Sequence, residues 1–109
     1  MNAPQPLVAE ADAVTVKTWL DAGEAVLIDV REAPEYQRAH IAGAMLVPLS
    51  AFDPQRIPQD GGKVVLHCAM GARSASACAY LQGQGFENLY NLSGGIQAWA
   101  AAGLPIELG

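Results

Sequence analysis

Hydrophobic residues concentrate in four short runs along this chain of 109 residues, and small or polar residues separate the runs. The runs are nearly continuous and rich in β-branched side chains, which is typical of strands buried on both faces of a sheet. They predict strands over residues 25–30, 44–49, 63–68 and 88–92.

The segments between these runs are rich in good helix formers, and glycines follow most of them. Thr15 is expected to cap the first helix and Gly23 to close it, while Pro34 lies early in the second, where its missing N–H costs little. The predicted helices cover residues 15–23, 33–40, 72–85 and 94–103. Residues 50–62 are expected to be irregular, with about one helical turn. Residues 1–12 are expected to be a loose lead-in to one domain over residues 13–109.

The order of these elements predicts an α/β fold. Buried runs that alternate with helices indicate a mostly parallel sheet with helices on both faces. Ligands of such sheets bind at the carboxyl ends of the strands. Asp29 and Cys68 both lie at the carboxyl end of a predicted central strand, so we expect them at the same edge of the sheet.

Cys68 could be a packing residue, a metal ligand or a nucleophile. The two cysteines and two histidines match no zinc spacing, and a residue at a strand-to-helix junction faces the crevice rather than the core. The turn after Cys68 contains Gly71, and its backbone N–H groups together with the helix start can stabilise an anion. Such surroundings lower a cysteine pKa from about 8.5 to roughly 3.5–7.5. We therefore predict a nucleophilic thiolate at Cys68, and only a packing role for Cys78 in the middle of the helix.

Two side chains that follow the turn leave alternatives open. Arg73 could bind a substrate anion, could turn back to pair with Asp29 and fix the loop, or could be a solvated surface residue. Ser74 could donate a hydrogen bond to the sulfur or cap the helix.

The charge balance restricts the partners. The net charge is −5 without a basic cluster, so nucleic acid is not an expected partner. No run of eighteen apolar residues predicts a membrane span, and residues 1–12 do not have the pattern of a secretory signal. We therefore expect a cytoplasmic protein whose two cysteines are reduced.

Four blocks of the sequence together resemble rhodanese-like domains. CAMGARS at 68–74 fits the C-x-x-G-x-R-S loop of that family. DVREAPEY at 29–36, AHIAGAMLVP at 39–48 and GGIQAWAAAGLPIE at 94–107 are similar to other blocks of the family, in the same order. The resemblance implies a five-stranded parallel sheet flanked by helices.

The resemblance also implies sulfur transfer, with Cys68 as the persulfide carrier. The residues implied to form the substrate cradle are Ala69, Met70, Gly71, Ala72, Arg73 and Ser74. Asp29 and Arg31 are implied to support the cradle from the neighbouring strand end. The expected partners are a small-molecule sulfur donor, either thiosulfate or an organic persulfide, and a thiophilic acceptor such as cyanide. No metal or organic cofactor is implied.

Two details of the loop refine this expectation. Cys68 to Arg73 spans six residues, one fewer than in related phosphatases, which favours sulfur over phosphoryl transfer. Ala69, Met70 and Ala72 are neutral, so thiosulfate should be a modest donor. The alternative is a sulfur-carrier module in a protein relay with little free turnover. Redox pairing of Cys68 with Cys78 is disfavoured, since ten helical residues separate their Cα atoms by roughly 15 Å.

Overall fold

The structure is a computed structural model that describes residues 8–109. Its helices are α1 (Ala13–Asp21), α2 (Ala33–Arg38), α3 (Ala72–Gly83) and α4 (Gly95–Ala101). Its strands are β1 (Ala9–Ala11), β2 (Ala25–Asp29), β3 (Ala39–His40), β4 (Met45–Leu46), β5 (Lys63–His67), β6 (Leu89–Leu92) and β7 (Glu107–Leu108). Within residues 8–109, no helix has the length and apolar content needed to cross a membrane.

Five strands form one parallel sheet in the order β1-β6-β5-β2-β4. Along β5, Val65 packs on one face of the sheet with α1 and α4, while Val64 and Leu66 pack on the other face with α3. This alternation follows from the two-residue period of a strand, and because both faces are covered, the run reads as continuously apolar. The predicted parallel sheet with helices on both faces is confirmed.

The start of the chain corrects one prediction. Residues 9–11 form β1, an edge strand that pairs with β6, with Glu10 opposite Asn91. The expected loose lead-in over residues 1–12 is therefore wrong for residues 9–11, while residues 1–7 lie outside the described residues. Helix α1 begins at Ala13, and its N-cap is Asp12, whose carboxylate accepts from the Thr15 N–H at 2.8 Å. Thr15 is thus not the cap, because Asp12 already supplies the acceptor.

Other boundaries differ where tertiary pairing overrides local propensity. Helix α2 ends at Arg38, since Ala39 is extended and pairs with Leu108 in a small antiparallel sheet of β3 and β7. Strand β4 is shorter than predicted, and residues 50–62 contribute to two 3-10 turns, Leu49–Ala51 and Pro54–Arg56, rather than one helical turn.

Candidate active site

Cys68 follows the last residue of β5 directly and is 2 % exposed. Asp29 ends the neighbouring strand β2 and lies opposite His67 in the register of the two strands. The sequence prediction that Asp29 and Cys68 share one edge of the sheet is therefore confirmed. Because every strand of this sheet is parallel, this edge collects the carboxyl ends of all five.

The turn after Cys68 directs a backbone N–H at the sulfur. Gly71 adopts a left-handed φ of 109°, and its N–H lies 3.1 Å from Cys68 Sγ. A Cβ at Gly71 would be in ordinary van der Waals contact with its nearest neighbour, the Gly94 backbone nitrogen at 3.4 Å, so it is the left-handed φ that favours glycine here. Helix α3 begins at the next residue and adds its positive end at the same point.

Burial and hydrogen bonding act on the Cys68 thiol in opposite directions. Burial raises its pKa, whereas hydrogen bonds from the Ser74 hydroxyl and from the N–H groups of Ser74, Gly71 and Met70 lower it. The hydrogen bonds prevail, so the pKa of Cys68 lies below the ordinary value for a thiol. Ser74 contacts the sulfur at 3.4 Å through Oγ, in agreement with one of its two predicted roles. The site therefore favours a thiolate more than an unassisted buried cysteine would.

Arg73 pairs with Glu35 of α2. Its Nη1 and Nη2 donate to the two carboxylate oxygens at 2.9 and 2.8 Å. This hydrogen-bonded pair lowers the pKa of Glu35 to about 2. The hypothesis that Arg73 pairs with Asp29 is wrong, and the Arg73 side chain, although 41 % exposed, is held by Glu35 rather than free in solvent. The start of α3 is tied instead to α2, a contact that the spacing of the sequence does not reveal.

Asp29 is bound by Arg31, two residues further along the chain. Arg31 Nε and Nη2 donate to the carboxylate at 3.0 and 2.8 Å, and Nη2 also donates to the Ala39 carbonyl at 2.8 Å. Both side chains are buried. No hydrogen bond joins either of them to residues 69–74 within the described part of the chain, so any support they give the cradle is indirect.

His67 lies between Asp29 and the backbone of Cys68. Its Nδ1 lies 3.1 Å from the Cys68 carbonyl oxygen, which can only accept, so Nδ1 carries the proton. Its Nε2 lies 3.5 Å from Asp29 Oδ2 and has no hydrogen-bond partner among residues 8–109. Burial lowers the pKa of His67 despite the opposing effect of Asp29. The ring thus reaches the Cys68 carbonyl and not its sulfur, which indicates a structural role rather than that of a general base for the thiol.

The first turn of helix α4 binds the backbone of the Cys68 loop. The N–H groups of Ile96 and Gln97 donate to the carbonyls of Cys68 and Ala69 at 2.9 and 3.1 Å. A Cβ at Gly95 would lie 2.4 Å from the Cys68 carbonyl oxygen, so only glycine permits this approach. Gly94 and Gly95 form a tight turn at the start of α4, with left-handed φ of 74° and 61°.

Comparison with known proteins identifies the family. The sequence model that describes the rhodanese-like domain family matches residues 12–102 of this chain. The chain belongs to the rhodanese-like domain family. The resemblance found in the four sequence blocks is thereby confirmed.

Relatives of this rhodanese-like domain include a sulfurtransferase. The chain is 40 % identical over 103 residues to a sulfurtransferase of Allochromatium vinosum, covering 92 % of this chain and 95 % of that protein. It is 43 % identical over 81 residues to protein slr1261 of Synechocystis sp., covering 73 % of this chain but 45 % of that protein. The crystal structure of a rhodanese-related protein from Thermoplasma volcanium has a TM-score of 0.82 at 29 % identity, covering 93 % of this chain and 99 % of that one. The chain therefore spans nearly all of some relatives and less than half of another.

Two clefts meet beside the loop of this rhodanese-like domain. The first, of about 200 Å³, is bordered by Cys68, Ala69, Met70, Ala72 and Arg73, and is mostly apolar. The second shares Ala69 with it and is lined also by Arg38, which has no salt bridge among residues 8–109. Met70 stands 68 % exposed at the rim. A substrate reaching the sulfur through the first cleft therefore meets mainly hydrocarbon, while charged side chains line the second cleft beside it.

The second cysteine has different surroundings. Cys78 is fully buried in α3, and its pKa is raised to about 12 by burial and then by the charge of Glu10. The two cysteines are not bonded to each other. The predicted packing role of Cys78 is confirmed. Residues 8–109 contain no cluster of three His, Cys, Asp or Glu side chains that could hold a metal ion.

Sequence reasoning missed Glu35, Asn91 and Glu10 as parts of the site. Asn91 carried the clearest signal, because it is a polar residue inside a short buried strand. Glu35 and Glu10 carried none, since both reach the site only through the packing of α2 and the pairing of β1.

Proposed function

We propose that this rhodanese-like domain is a sulfurtransferase that carries a sulfane sulfur as a persulfide on Cys68. The observation that carries the proposal is the Gly71 N–H aimed at Cys68 Sγ at 3.1 Å, at the start of α3. This arrangement favours negative charge at the sulfur, which both the thiolate and the persulfide require. The similarity to a sulfurtransferase of Allochromatium vinosum supports the same reaction class.

The proposed reaction has two displacement steps. The Cys68 thiolate attacks the outer sulfur of thiosulfate, the S–S bond of the donor breaks, and sulfite leaves with its electron pair. The resulting persulfide anion is held by the backbone N–H groups of residues 69–74. A nucleophile such as cyanide then attacks the outer sulfur, thiocyanate forms, and the Cys68 thiolate is regenerated. No cofactor enters either step.

An organic persulfide is proposed as a better donor than thiosulfate. The cleft over the sulfur is mostly apolar, and residues 69, 70 and 72 are neutral. Arg73 is paired with Glu35, so it offers a dianion less charge than a free guanidinium would. With an organic donor, the leaving group is a thiolate whose carbon substituent can contact Ala69 and Met70.

The roles of the remaining site residues follow from their contacts. Arg73 acts as a scaffold between α3 and α2 rather than as the main substrate ligand. Asp29 and Arg31 support the loop indirectly: they form a buried ion pair at the end of β2, beside His67, whose ring donates to the Cys68 carbonyl. The proposed setting is the cytoplasm, where Cys68 stays reduced, with small molecules rather than nucleic acid or membrane as partners.

A carrier module in a protein relay is the second candidate. The observation that favours it is Met70, a large apolar side chain 68 % exposed next to the sulfur. In this case the acceptor is a thiol of a partner sulfur-relay protein. The persulfide on Cys68 then forms readily, but its transfer to free cyanide is slow.

Steady-state thiocyanate production distinguishes the candidates. The wild type, Cys68→Ala and Cys78→Ala are assayed with thiosulfate and with an organic persulfide as donors. A sulfurtransferase turns over with cyanide in wild type and Cys78→Ala but not in Cys68→Ala. A carrier module loads one sulfur and releases it to cyanide slowly. Activity that survives in Cys68→Ala contradicts both candidates.

A further inference from the structure

The Ser74 hydroxyl lies among more acceptors than it can satisfy. Its Oγ is 2.5 Å from Asn91 Oδ1, 3.4 Å from Cys68 Sγ and 3.3 Å from the Gly71 carbonyl oxygen. A serine hydroxyl has one proton to donate, and contacts to sulfur are longer than contacts to oxygen. Ser74 and Asn91 are both buried, so bulk solvent does not supply a second donor. Only one of these acceptors receives the proton at a time.

The orientation of the Asn91 amide follows from its other contacts. Its Nδ2 lies 3.0 Å from Glu10 Oε2 and 3.1 Å from the Gly71 carbonyl oxygen, and both of these atoms accept. A flipped amide would place Oδ1 against two acceptors, so Nδ2 faces them and Oδ1 faces Ser74. Among residues 8–109, no other donor reaches Oδ1. This buried oxygen therefore depends on the Ser74 hydroxyl.

We propose that Asn91 competes with the sulfur of Cys68 for the single hydroxyl proton of Ser74. In the neutral thiol, S–H donates to Ser74 Oγ and the hydroxyl donates to Asn91, so each group has a partner. When Cys68 loses its proton to solvent, the hydroxyl must turn from Asn91 to the sulfur, which leaves Oδ1 unpaired. Asn91 therefore opposes ionisation of Cys68, and it is a positioning residue that acts through Ser74.

The other charged and titratable groups around Cys68 lie on different elements. They are His67 on β5, Asp29 on β2, Glu35 on α2, Arg73 and Cys78 on α3, and Glu10 on β1. None of them forms a hydrogen bond with Ser74 Oγ within the described residues. Removal of the Asn91 side chain leaves the Gly71 carbonyl with its backbone donor Ala75 at 3.1 Å. The effect of Asn91 on the sulfur can thus be separated from those of the charges.

The test is the pH profile of Cys68 alkylation by iodoacetamide in the full chain, read by mass spectrometry of the peptide that contains Cys68. It needs no sulfur donor, so its outcome is independent of the proposed sulfur transfer. The variants are Asn91→Leu, which removes Oδ1 at similar size, Ser74→Ala and the double variant. Ser93→Ala is the matched control, because Ser93 Oγ contacts the other Glu10 oxygen at 2.9 Å and not Ser74.

We expect the Asn91→Leu profile to shift downward by roughly half to one pH unit, the size of one hydrogen bond. Ser74→Ala should raise the midpoint more in the Asn91→Leu background than in the native background, while Ser93→Ala leaves it unchanged. An equal effect of Ser74→Ala in both backgrounds, or an unchanged midpoint in Asn91→Leu, overturns the proposal. If Asn91→Leu does not fold by circular dichroism, Asn91→Ala removes the same oxygen and the same criteria apply.

Discussion

At the scale of single residues, Arg73 and Glu35 show how the loop is fixed. Their side chains are 41 % and 29 % exposed, so the pair is partly screened by water. Its two parallel hydrogen bonds nevertheless define the geometry of the first turn of α3. The sulfur is then met by backbone N–H groups and by Ser74, whose positions depend on that turn.

The Arg73→Lys variant tests the scaffold role, because lysine cannot form the two parallel hydrogen bonds. We expect the free energy of unfolding to fall by about 1 kcal/mol, with little change in the Michaelis constant for thiosulfate. Urea denaturation and steady-state kinetics measure the two quantities. Arg56→Lys, at an exposed arginine without a salt bridge among residues 8–109, is the control. A raised Michaelis constant at unchanged stability would assign Arg73 to the substrate instead.

The same pair predicts a pH dependence of stability. The pKa of Glu35 is about 2 in the folded chain and 4.5 ordinarily, so the unfolded chain binds a proton first as the pH falls. The contribution of Glu35 is therefore complete above pH 4.5 and is lost as the pH falls toward 2. Wild type should be more stable than Glu35→Gln at neutral pH, by about 1 kcal/mol, and the difference should shrink in this acidic range. A difference that is constant with pH would contradict this linkage.

At the scale of elements, α4 and the turn before it determine where the Cys68 loop rests. The N–H groups of Ile96 and Gln97 bind the loop carbonyls, which requires the backbone of Gly95 to touch the loop. The N-terminal turn of a helix has unpaired N–H groups, and here two of them are satisfied by the loop.

The comparison of Gly95→Ala with Gly103→Ala isolates this contact. Both glycines have left-handed φ, 61° and 77°, so both alanines incur backbone strain of roughly 1–2 kcal/mol. Only at Gly95 would the Cβ also overlap the Cys68 carbonyl oxygen, at 2.4 Å, whereas Gly103 has nothing within 4 Å. Gly95→Ala should be clearly less stable in thermal unfolding and should slow sulfur loading. Equal losses in the two variants would show that the contact is unimportant.

The elements that could be predicted are those whose signal is local. The apolar runs of β2 and β5 needed no tertiary information. Strand β1 could not be found, because its sequence AEA lacks β-branched residues and its pairing partner β6 is distant in sequence. The pairing of β3 with β7 is likewise non-local. Because of it, α2 ends at Arg38 and not at His40, where the predicted helix ended.

At the scale of the whole molecule, the net charge is −5 and positive charge is dispersed. Of the six lysines and arginines, the four that pair with carboxylates are Lys17, Lys63, Arg31 and Arg73. Arg38 and Arg56 have no such partner among residues 8–109. We therefore expect thiosulfate, a dianion, to gain little from the field of the whole protein, with Arg38 in the second cleft as the one unpaired cation beside the loop among residues 8–109.

The dependence of kcat/KM on ionic strength tests whether the charge of the protein repels thiosulfate. Added salt screens the repulsion between an acidic protein and a dianion, so kcat/KM for thiosulfate should rise by roughly twofold between low and high salt. Alkylation of Cys68 by uncharged iodoacetamide is the control and should not change. A fall of kcat/KM with salt would indicate an attractive local field, contrary to the proposed preference for an organic donor.

The candidate site could be predicted from sequence where it is contiguous, and where the parallel order of the strands brings Asp29 to the same edge as Cys68. Residues 68–74 are one contiguous segment, the turn after β5 and the first residues of α3, so the spacing of Cys68, Gly71 and Arg73 was sufficient. The partners Glu35 and Asn91 join the site because α2 and β6 pack beside the loop. Such contacts depend on the complete fold, which a one-dimensional pattern does not encode.

The most direct test of the central claim is the intact mass of the protein after incubation with a sulfane donor and removal of excess reagent. We expect a gain of one sulfur atom in wild type and in Cys78→Ala, no gain in Cys68→Ala, and loss of the added mass on treatment with cyanide. Failure of wild type to gain mass from either thiosulfate or an organic persulfide, or an equal gain in Cys68→Ala, would contradict it.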